Sequence, residues 1–111
     1  MSRKESERLQ DILDAIAKIQ DRVQSRQTFF EDELLQAFTL MNLQIIGEAG
    51  NRLPSSTKET NSHIPWKKII GLRNLITHEY FRIDLTIVWD VVEQDLTPLK
   101  EDIEQLIRKN Q

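Results

Sequence analysis

The stretch Ile64-Pro-Trp-Lys-Lys-Ile-Ile-Gly-Leu-Arg-Asn-Leu-Ile-Thr-His-Glu-Tyr-Phe81 is predicted to form the central helix of the fold. Pro65 suits a first helical position, because its missing N–H would have no partner there and its φ angle is already helical. We therefore expect a helix that begins at Ile64 or Pro65. One set of residues on this helix follows the i, i+3, i+4 spacing of a single helix face. The residues on that face are Trp66, Ile69, Ile70, Arg73, Ile76, Thr77 and Tyr80.

Arg73 is the one charged residue on that stripe, and a second row beside it carries Asn74 and His78, which are four residues apart. An arginine presents a planar fork of donors that matches phosphate oxygens, and a histidine can give and take protons near neutral pH. Such a pair is suited to the cleavage of a phosphodiester. A structural interpretation is also open, in which His78 bonds the last carbonyls of the helix and Arg73 pairs with a nearby acid.

The segment Arg73-Asn74-Leu-Ile-Thr-His78-Glu-Tyr80 resembles the R-x4-H-x-Y motif of the HepT toxins, a branch of the HEPN superfamily. The similarity to that family extends from about residue 9 to residue 106. Four further segments carry it: Ile45-Ile-Gly-Glu-Ala49, Ile64-Pro-Trp66, Tyr80-Phe-Arg-Ile-Asp84 and Ile87-Val-Trp-Asp-Val-Val92. Because a short motif occurs often by chance, the specificity of the resemblance comes from the number and the order of these segments.

The resemblance implies a metal-independent endoribonuclease toxin with the HEPN fold and with RNA as its substrate. In the mechanism of that family, His78 would act as general base on the ribose 2′-OH, and Arg73 would stabilise the charge on the phosphorane. The products would be a 2′,3′-cyclic phosphate and a 5′-OH, and DNA would not be cut because it lacks the 2′-OH. We assign Asn74 to the positioning of His78 or of a phosphate oxygen.

The resemblance also implies a homodimer in which the two motifs face each other across a cleft. Helix geometry favours the same assembly, because five residues rotate by about 140° and place Arg73 and His78 on different sides of one helix. The family further implies a type VII-like toxin–antitoxin system, in which an MntA-like nucleotidyltransferase antitoxin transfers AMP from ATP to Tyr80. Each AMP would add negative charge beside the site and repel RNA.

A function of a different class is also open. The chain could be a non-catalytic helical module that partners a nucleotidyltransferase, with Arg73 and His78 retained for structure. The net charge of −3 favours this alternative slightly, because nucleic-acid binding is chiefly electrostatic. Toxicity of the chain expressed alone is expected only for the nuclease.

The local charge around the motif differs from that of the whole chain. Between residues 63 and 82 the only acid is Glu79, whereas the segments 31–33 and 84–111 are acidic overall. The basic residues of this cluster are Lys67, Lys68, Arg73 and Arg82. We expect Lys67, Lys68 and Arg82 to contact RNA, since a basic cluster in an acidic chain is typical of a small nucleic-acid site.

Length and composition predict a single cytoplasmic domain over residues 1–111. The absence of cysteine excludes disulfides, thiolate metal sites and thiol nucleophiles. The apolar runs are too short to cross a bilayer, so we expect no membrane association. We expect no metal and no cofactor, because His63 and His78 do not form an H-E-x-x-H motif and the three glycines do not form a P-loop.

The rest of the chain lacks the alternating pattern of strands and predicts an all-α antiparallel bundle of four to five helices. The expected elements are a helix over 6–23, a helix over 29–52 with Thr28 as its N-cap, a loop over 53–63, and a helix after Asp84 that is interrupted or kinked at Thr97-Pro98.

The helix expected over 29–52 is apolar over more than half of its circumference. We therefore expect it to pack on the bundle with one side and on another helix or a second subunit with the other. Gly47 permits the close approach of another helix. Glu48 is expected to cap or pair with the Arg73 helix, with a catalytic acid as the alternative. For His63 we favour an ordinary polar contact over a catalytic role.

Overall fold

The computed structural model describes residues 2–110, which form α-helices and contain no β-strand. In chain order the helices are α1 (Arg3–Arg22), α2 (Arg26–Glu31), α3 (Glu33–Arg52), α4 (Ser55–Thr60), α5 (Trp66–Glu79), α6 (Leu85–Asp90) and α7 (Leu96–Lys109). A 3₁₀ turn, Tyr80–Arg82, follows α5, and a π-helical turn, Val91–Asp95, joins α6 to α7. The predicted all-α bundle is confirmed, with four long helices and additional short ones.

The first helix supplies the centre of the core. Ser2 caps α1, because its hydroxyl accepts a hydrogen bond from the Glu5 N–H at 3.1 Å, and α1 therefore begins three residues before the expected start. Its apolar stripe packs against α3 and α7. The buried residues of that stripe are Leu9, Ile12, Ala15, Ile16 and Ile19.

The helix expected over 29–52 is divided at Asp32. Ser25 begins α2 by accepting the Thr28 N–H at 3.1 Å, and Asp32 begins α3 by accepting the Leu35 N–H at 3.1 Å. The prediction of Thr28 as N-cap is therefore wrong, since Thr28 already lies inside α2. Asp prefers a cap to a helix interior, because its short side chain competes for nearby backbone N–H groups.

The segment expected to be a loop contains a six-residue helix, α4. After it, α5 begins at Trp66, with Pro65 at the capping position just before the helix. The indole N–H of Trp66 donates to the Asn61 carbonyl at 3.0 Å, and the Ile69 N–H donates to the Pro65 carbonyl at 3.1 Å. These bonds attach the start of α5 to the connection that precedes it.

The helix predicted after Asp84 begins where expected, but its irregular turn lies before Thr97-Pro98 and divides it into α6 and α7. Asp84 caps α6 by accepting the Thr86 N–H at 2.9 Å. The disturbance expected at Thr97-Pro98 is the π turn, in which the Leu96 N–H bonds to the Val91 carbonyl. Proline lacks an N–H and its ring crowds the carbonyl four residues earlier, so the turn before Pro98 widens and the helix continues.

The contact between α3 and α5 sets the position of the candidate site. Gly47 faces Arg73, and a Cβ added to Gly47 would overlap the Cβ of Arg73 and lie 3.1 Å from the Ile69 carbonyl oxygen. Gly50 faces Ile69 at 3.5 Å, so residue numbers rise along α3 as they fall along α5 and the two helices are antiparallel. The close approach expected at Gly47 is therefore found.

The opposite side of α3 is apolar and exposed. Leu34 is 84% exposed, Met41 53% and Ile45 38%. The apolar excess expected for this helix thus lies on one outer face. Among residues 2–110 no helix is long and apolar enough to cross a membrane.

Candidate active site

Arg73 lies on the face of α5 that packs against α3, and its side chain is 30% exposed. Its Nε forms an ion pair with Oε1 of Glu48 on α3. Its Nη1 donates to Oδ1 of Asn74 at 2.8 Å. The pairing expected between Glu48 and the Arg73 helix is therefore found. Asn74 forms no hydrogen bond to His78 within residues 2–110, and its predicted role in positioning His78 or a phosphate oxygen stays a prediction.

Glu48 is shared between two guanidinium groups. Its Oε2 lies 3.6 Å from Nε of Arg52, so one carboxylate stands between Arg52 and Arg73 and the cluster keeps a net charge of plus one. Nη2 of Arg73 has no hydrogen-bond partner within residues 2–110. Arg52 is not among the residues predicted for the site, although its spacing of four residues from Glu48 is the signal for such a pair.

His78 occupies the last turn of α5 and is exposed. In the part of the chain that the structure describes, its imidazole forms no hydrogen bond or ion pair. The side chain that bonds a carbonyl in this turn is Thr77, whose hydroxyl donates to the Arg73 carbonyl at 2.9 Å. The interpretation of His78 as a residue that bonds the last carbonyls is therefore not supported, and the imidazole is free to meet a substrate.

Arg73 and His78 point to different sides of α5. Five residues separate them by about 7.5 Å along the helix axis and by about 140° around it. Arg73 faces α3, whereas His78 faces solvent. Asn74 lies on the same side of α5 as His78, and its side chain accepts a hydrogen bond from Arg73. Asn74 therefore lies between the two groups. Within one chain the two proposed catalytic groups therefore start from different sides of the helix.

A shallow depression lies at the carboxyl end of α5. Its lining residues are Thr77, His78, Glu79, Tyr80, Phe81 and Arg82. Tyr80 is 42% exposed, and its ring stands nearly perpendicular to that of Phe81, with 5.2 Å between the ring centroids. The end of α5 and the 3₁₀ turn thus bring His78, Tyr80 and Arg82 to one surface.

The two lysines predicted to bind RNA lie at the other end of α5. Lys67 is exposed, and eleven residues of helix separate it from His78 by about 16 Å along the axis. Nζ of Lys68 pairs with Oδ2 of Asp95 in the π turn at 2.8 Å. Of the predicted RNA-binding residues, only Arg82 adjoins the depression, because a straight helix keeps the two ends of the basic cluster apart.

The second histidine makes the kind of contact that was expected. Nε2 of His63 lies 4.0 Å from Oδ1 of Asp102 on α7. Among residues 2–110, no group of three or more His, Cys, Asp or Glu side chains is arranged to hold a metal ion.

Sequence comparisons identify relatives over most of the chain. A protein of Thermococcus cleftensis named "Probable ribonuclease HepT" is 34% identical over 96% of this chain and 98% of its own length. A protein of Caldanaerobacter subterraneus, provisionally named an RNase, is 32% identical over 91% of this chain and 92% of its own length. A Methanocaldococcus jannaschii protein, named a gamma-glutamylcyclotransferase and provisionally an RNase, is 34% identical over 91% of this chain.

The chain spans 46% of the length of that Methanocaldococcus protein. No solved structure matches the chain. Residues 12–106 match the family model described as "Ribonuclease HepT-like". This match contains α3, α5 and the depression beside His78, and it confirms the resemblance found in the sequence: the chain belongs to the HepT-like ribonuclease family.

Proposed function

We propose that this ribonuclease cuts RNA internally, without a metal ion, by attack of a ribose 2′-OH on the adjacent phosphorus. His78 removes the 2′-OH proton, the new O2′–P bond forms, and the P–O5′ bond breaks to leave a 2′,3′-cyclic phosphate and a 5′-OH. The observation that carries this proposal is the exposed imidazole of His78, which no other group in residues 2–110 engages. Membership of a ribonuclease family favours this function over a non-catalytic module.

Arg73 stabilises the charge that builds up on the phosphorane oxygens. Glu48 and Asn74 hold two of its nitrogens, which fixes the plane of the guanidinium and leaves Nη2 for a phosphate oxygen. Preorganised donors of this kind stabilise a transition state more than mobile ones, because they need no reorientation during the reaction. Arg52 offsets the charge of Glu48, so the cluster still attracts an anion.

The active form in this proposal is a homodimer. Arg73 and His78 diverge on one helix, so a second copy can supply the partner that each group lacks. The exposed apolar residues of α3, Leu34, Met41 and Ile45, provide a surface that a second subunit would cover. Sedimentation velocity of the purified chain tests the dimer independently of catalysis.

Tyr80 is the proposed site of control in a type VII-like toxin–antitoxin system. Its exposed ring lies in the same depression as His78. An MntA-like nucleotidyltransferase would direct the phenol oxygen onto the α-phosphorus of ATP, with release of pyrophosphate and of the phenol proton. The AMP would place a phosphodiester charge beside His78 and block the approach of RNA.

The direct test is the chemistry of the ends that the enzyme produces. The purified chain is incubated with single-stranded RNA, and its products are labelled by a polynucleotide kinase, which accepts a 5′-OH end. We expect the products to be labelled at their 5′ ends. We expect their 3′ ends to react in end-labelling only after the cyclic phosphate is opened. Products with a 5′-phosphate would refute attack by the 2′-OH.

A further inference from the structure

Phe81 has an environment that catalysis by His78 does not explain. Its side chain is 97% exposed, the highest value among the exposed large apolar residues of the described chain. A phenylalanine left in water is unfavourable, because all of its apolar surface remains hydrated. Helix α5 has ended before it, and the 3₁₀ turn presents the ring to solvent rather than to the core.

The ring of Phe81 stands beside the ring of its neighbour, Tyr80. Tyr80 packs against it edge to face, at an interplanar angle of 83°. This arrangement is favourable for aromatic pairs, and the 97% exposure of Phe81 shows that a flat face of its ring is open to solvent. A flat, exposed and oriented aromatic face is the feature on which proteins stack unpaired bases.

The groups around Phe81 match the other parts of a nucleotide. Arg82 follows directly and carries a charge suited to a phosphate, and His78 lies three residues earlier in the same depression. Glu79 is the only acid that lines the depression. A cation, a proton acceptor and an aromatic face therefore lie together, in reach of one nucleotide and the phosphate next to it.

We propose that Phe81 is a stacking platform for an unpaired base beside the scissile phosphate of the RNA. This inference rests on the proposed cleavage at His78 and extends it to the class of substrate. A base inside a duplex is covered by its neighbours on both sides, so the platform selects single-stranded RNA or loops. The platform requires an unpaired base. It does not select which base this is, because every base has a π-face.

Binding to an RNA that cannot be cut tests the platform. A 2′-O-methyl oligonucleotide of about 12 nucleotides lacks the nucleophilic hydroxyl, and its affinity for the full chain is measured by fluorescence anisotropy. We expect Phe81→Leu to weaken binding by roughly five- to hundredfold, the range for loss of one stacked base. Phe81→Trp should retain wild-type affinity. Ile87→Ala, which removes another exposed apolar side chain from α6, is the matched control and should bind normally.

A second oligonucleotide, with abasic residues at its central positions, shows whether the weaker binding of Phe81→Leu comes from lost stacking or from another cause. We expect the wild-type chain and Phe81→Leu to bind it equally, since there is no base to stack. If Phe81→Leu weakened the binding of both oligonucleotides by the same factor, the stacking platform would be refuted. A smaller mass of Phe81→Leu in sedimentation velocity would overturn it too, by showing that a second copy covers the ring. Neither measurement needs cleavage, so an inactive His78 would leave their outcome unchanged.

Discussion

Gly47 on α3 faces Arg73 on α5 so closely that a methyl group at position 47 would overlap the Cβ of Arg73. The Cα of Arg73 is also near, at 3.2 Å from that methyl position. Both atoms are fixed by the helix, so a rotation of the Arg73 side chain cannot relieve the clash. The glycine and the arginine thus form one structural unit, in which the missing side chain of one residue makes room for the other.

Gly47→Ala should destabilise the fold. Alanine is the better helix former by about 1 kcal/mol, but the overlap with fixed atoms of α5 is expected to cost about 3 kcal/mol, the upper end of the usual range for overpacking. Urea denaturation would measure the free energy of unfolding. Gly71→Ala is the matched control, because nothing lies within 4 Å of its added methyl group, and it should stabilise the chain. Equal effects at the two positions would contradict the close approach of α3 and α5.

His78→Ala should abolish RNA cleavage while leaving the fold unchanged, because an exposed side chain contributes little packing. Cleavage is followed on single-stranded RNA, and folding by circular dichroism. His63→Ala is the control, since His63 contacts Asp102 and lies outside the depression. A His78→Ala variant that cuts at the wild-type rate would remove this residue from the mechanism.

Arg73→Lys should lower the rate constant of cleavage by about 10²-fold or more, the usual loss when one donor to a developing anion is removed. A lysine carries the charge but lacks the fork that reaches Glu48, Asn74 and a phosphate oxygen together. Arg52→Lys is the control and should stay near the wild-type rate, because Arg52 is 60% exposed and lies 3.6 Å from Glu48. Single-turnover kinetics compares the two variants, and equal rates would reduce the role of Arg73 to its charge.

EDTA should not inhibit cleavage. The proposed reaction uses the imidazole of His78 to remove a proton and the guanidinium of Arg73 to stabilise charge, so it assigns no step to a metal ion. The rate is measured before and after dialysis against the chelator. Activity that disappears and returns with Mg²⁺ would contradict the proposed mechanism.

Tyr80→Phe should take up no AMP. Incubation with ATP and the nucleotidyltransferase antitoxin is expected to raise the mass of the wild-type chain by whole AMP units and to silence its cleavage of RNA. Mass spectrometry compares the two proteins. Equal labelling of Tyr80→Phe would move the modification to another residue.

The sequence predicts those features of the fold that depend on local spacing. The burial of Trp66, Ile69 and Ile76 follows from the apolar period of α5. The cap at Asp84 follows from the preference of aspartate for that position. The break at Asp32 was missed because the apolar period continues on both sides of it. Propensity alone does not show that Asp32 accepts the Leu35 N–H.

The sequence names candidate residues for the site, and only some of the contacts among them could be predicted. The approach of Glu48 to Arg73 could be predicted, because Gly47 and Glu48 are adjacent on an otherwise apolar helix. The pairing of Lys68 with Asp95 could not be predicted, because it depends on how α5 lies relative to the π turn. Contacts between residues distant in sequence need the packing of the helices, which a single sequence does not contain.

The facing pairs Gly47 with Arg73 and Gly50 with Ile69 also fix the axial register of the two helices. A slide of α5 by one turn towards the amino end of α3 would carry the Cβ of Arg73 away from Gly47 and against Leu43, which has a side chain. The main-chain position of Arg73 is therefore set by backbone contact, and the ion pair with Glu48 only orients its guanidinium. Loss of the Glu48 carboxylate would leave the arginine in place, with its fork held by Asn74 alone.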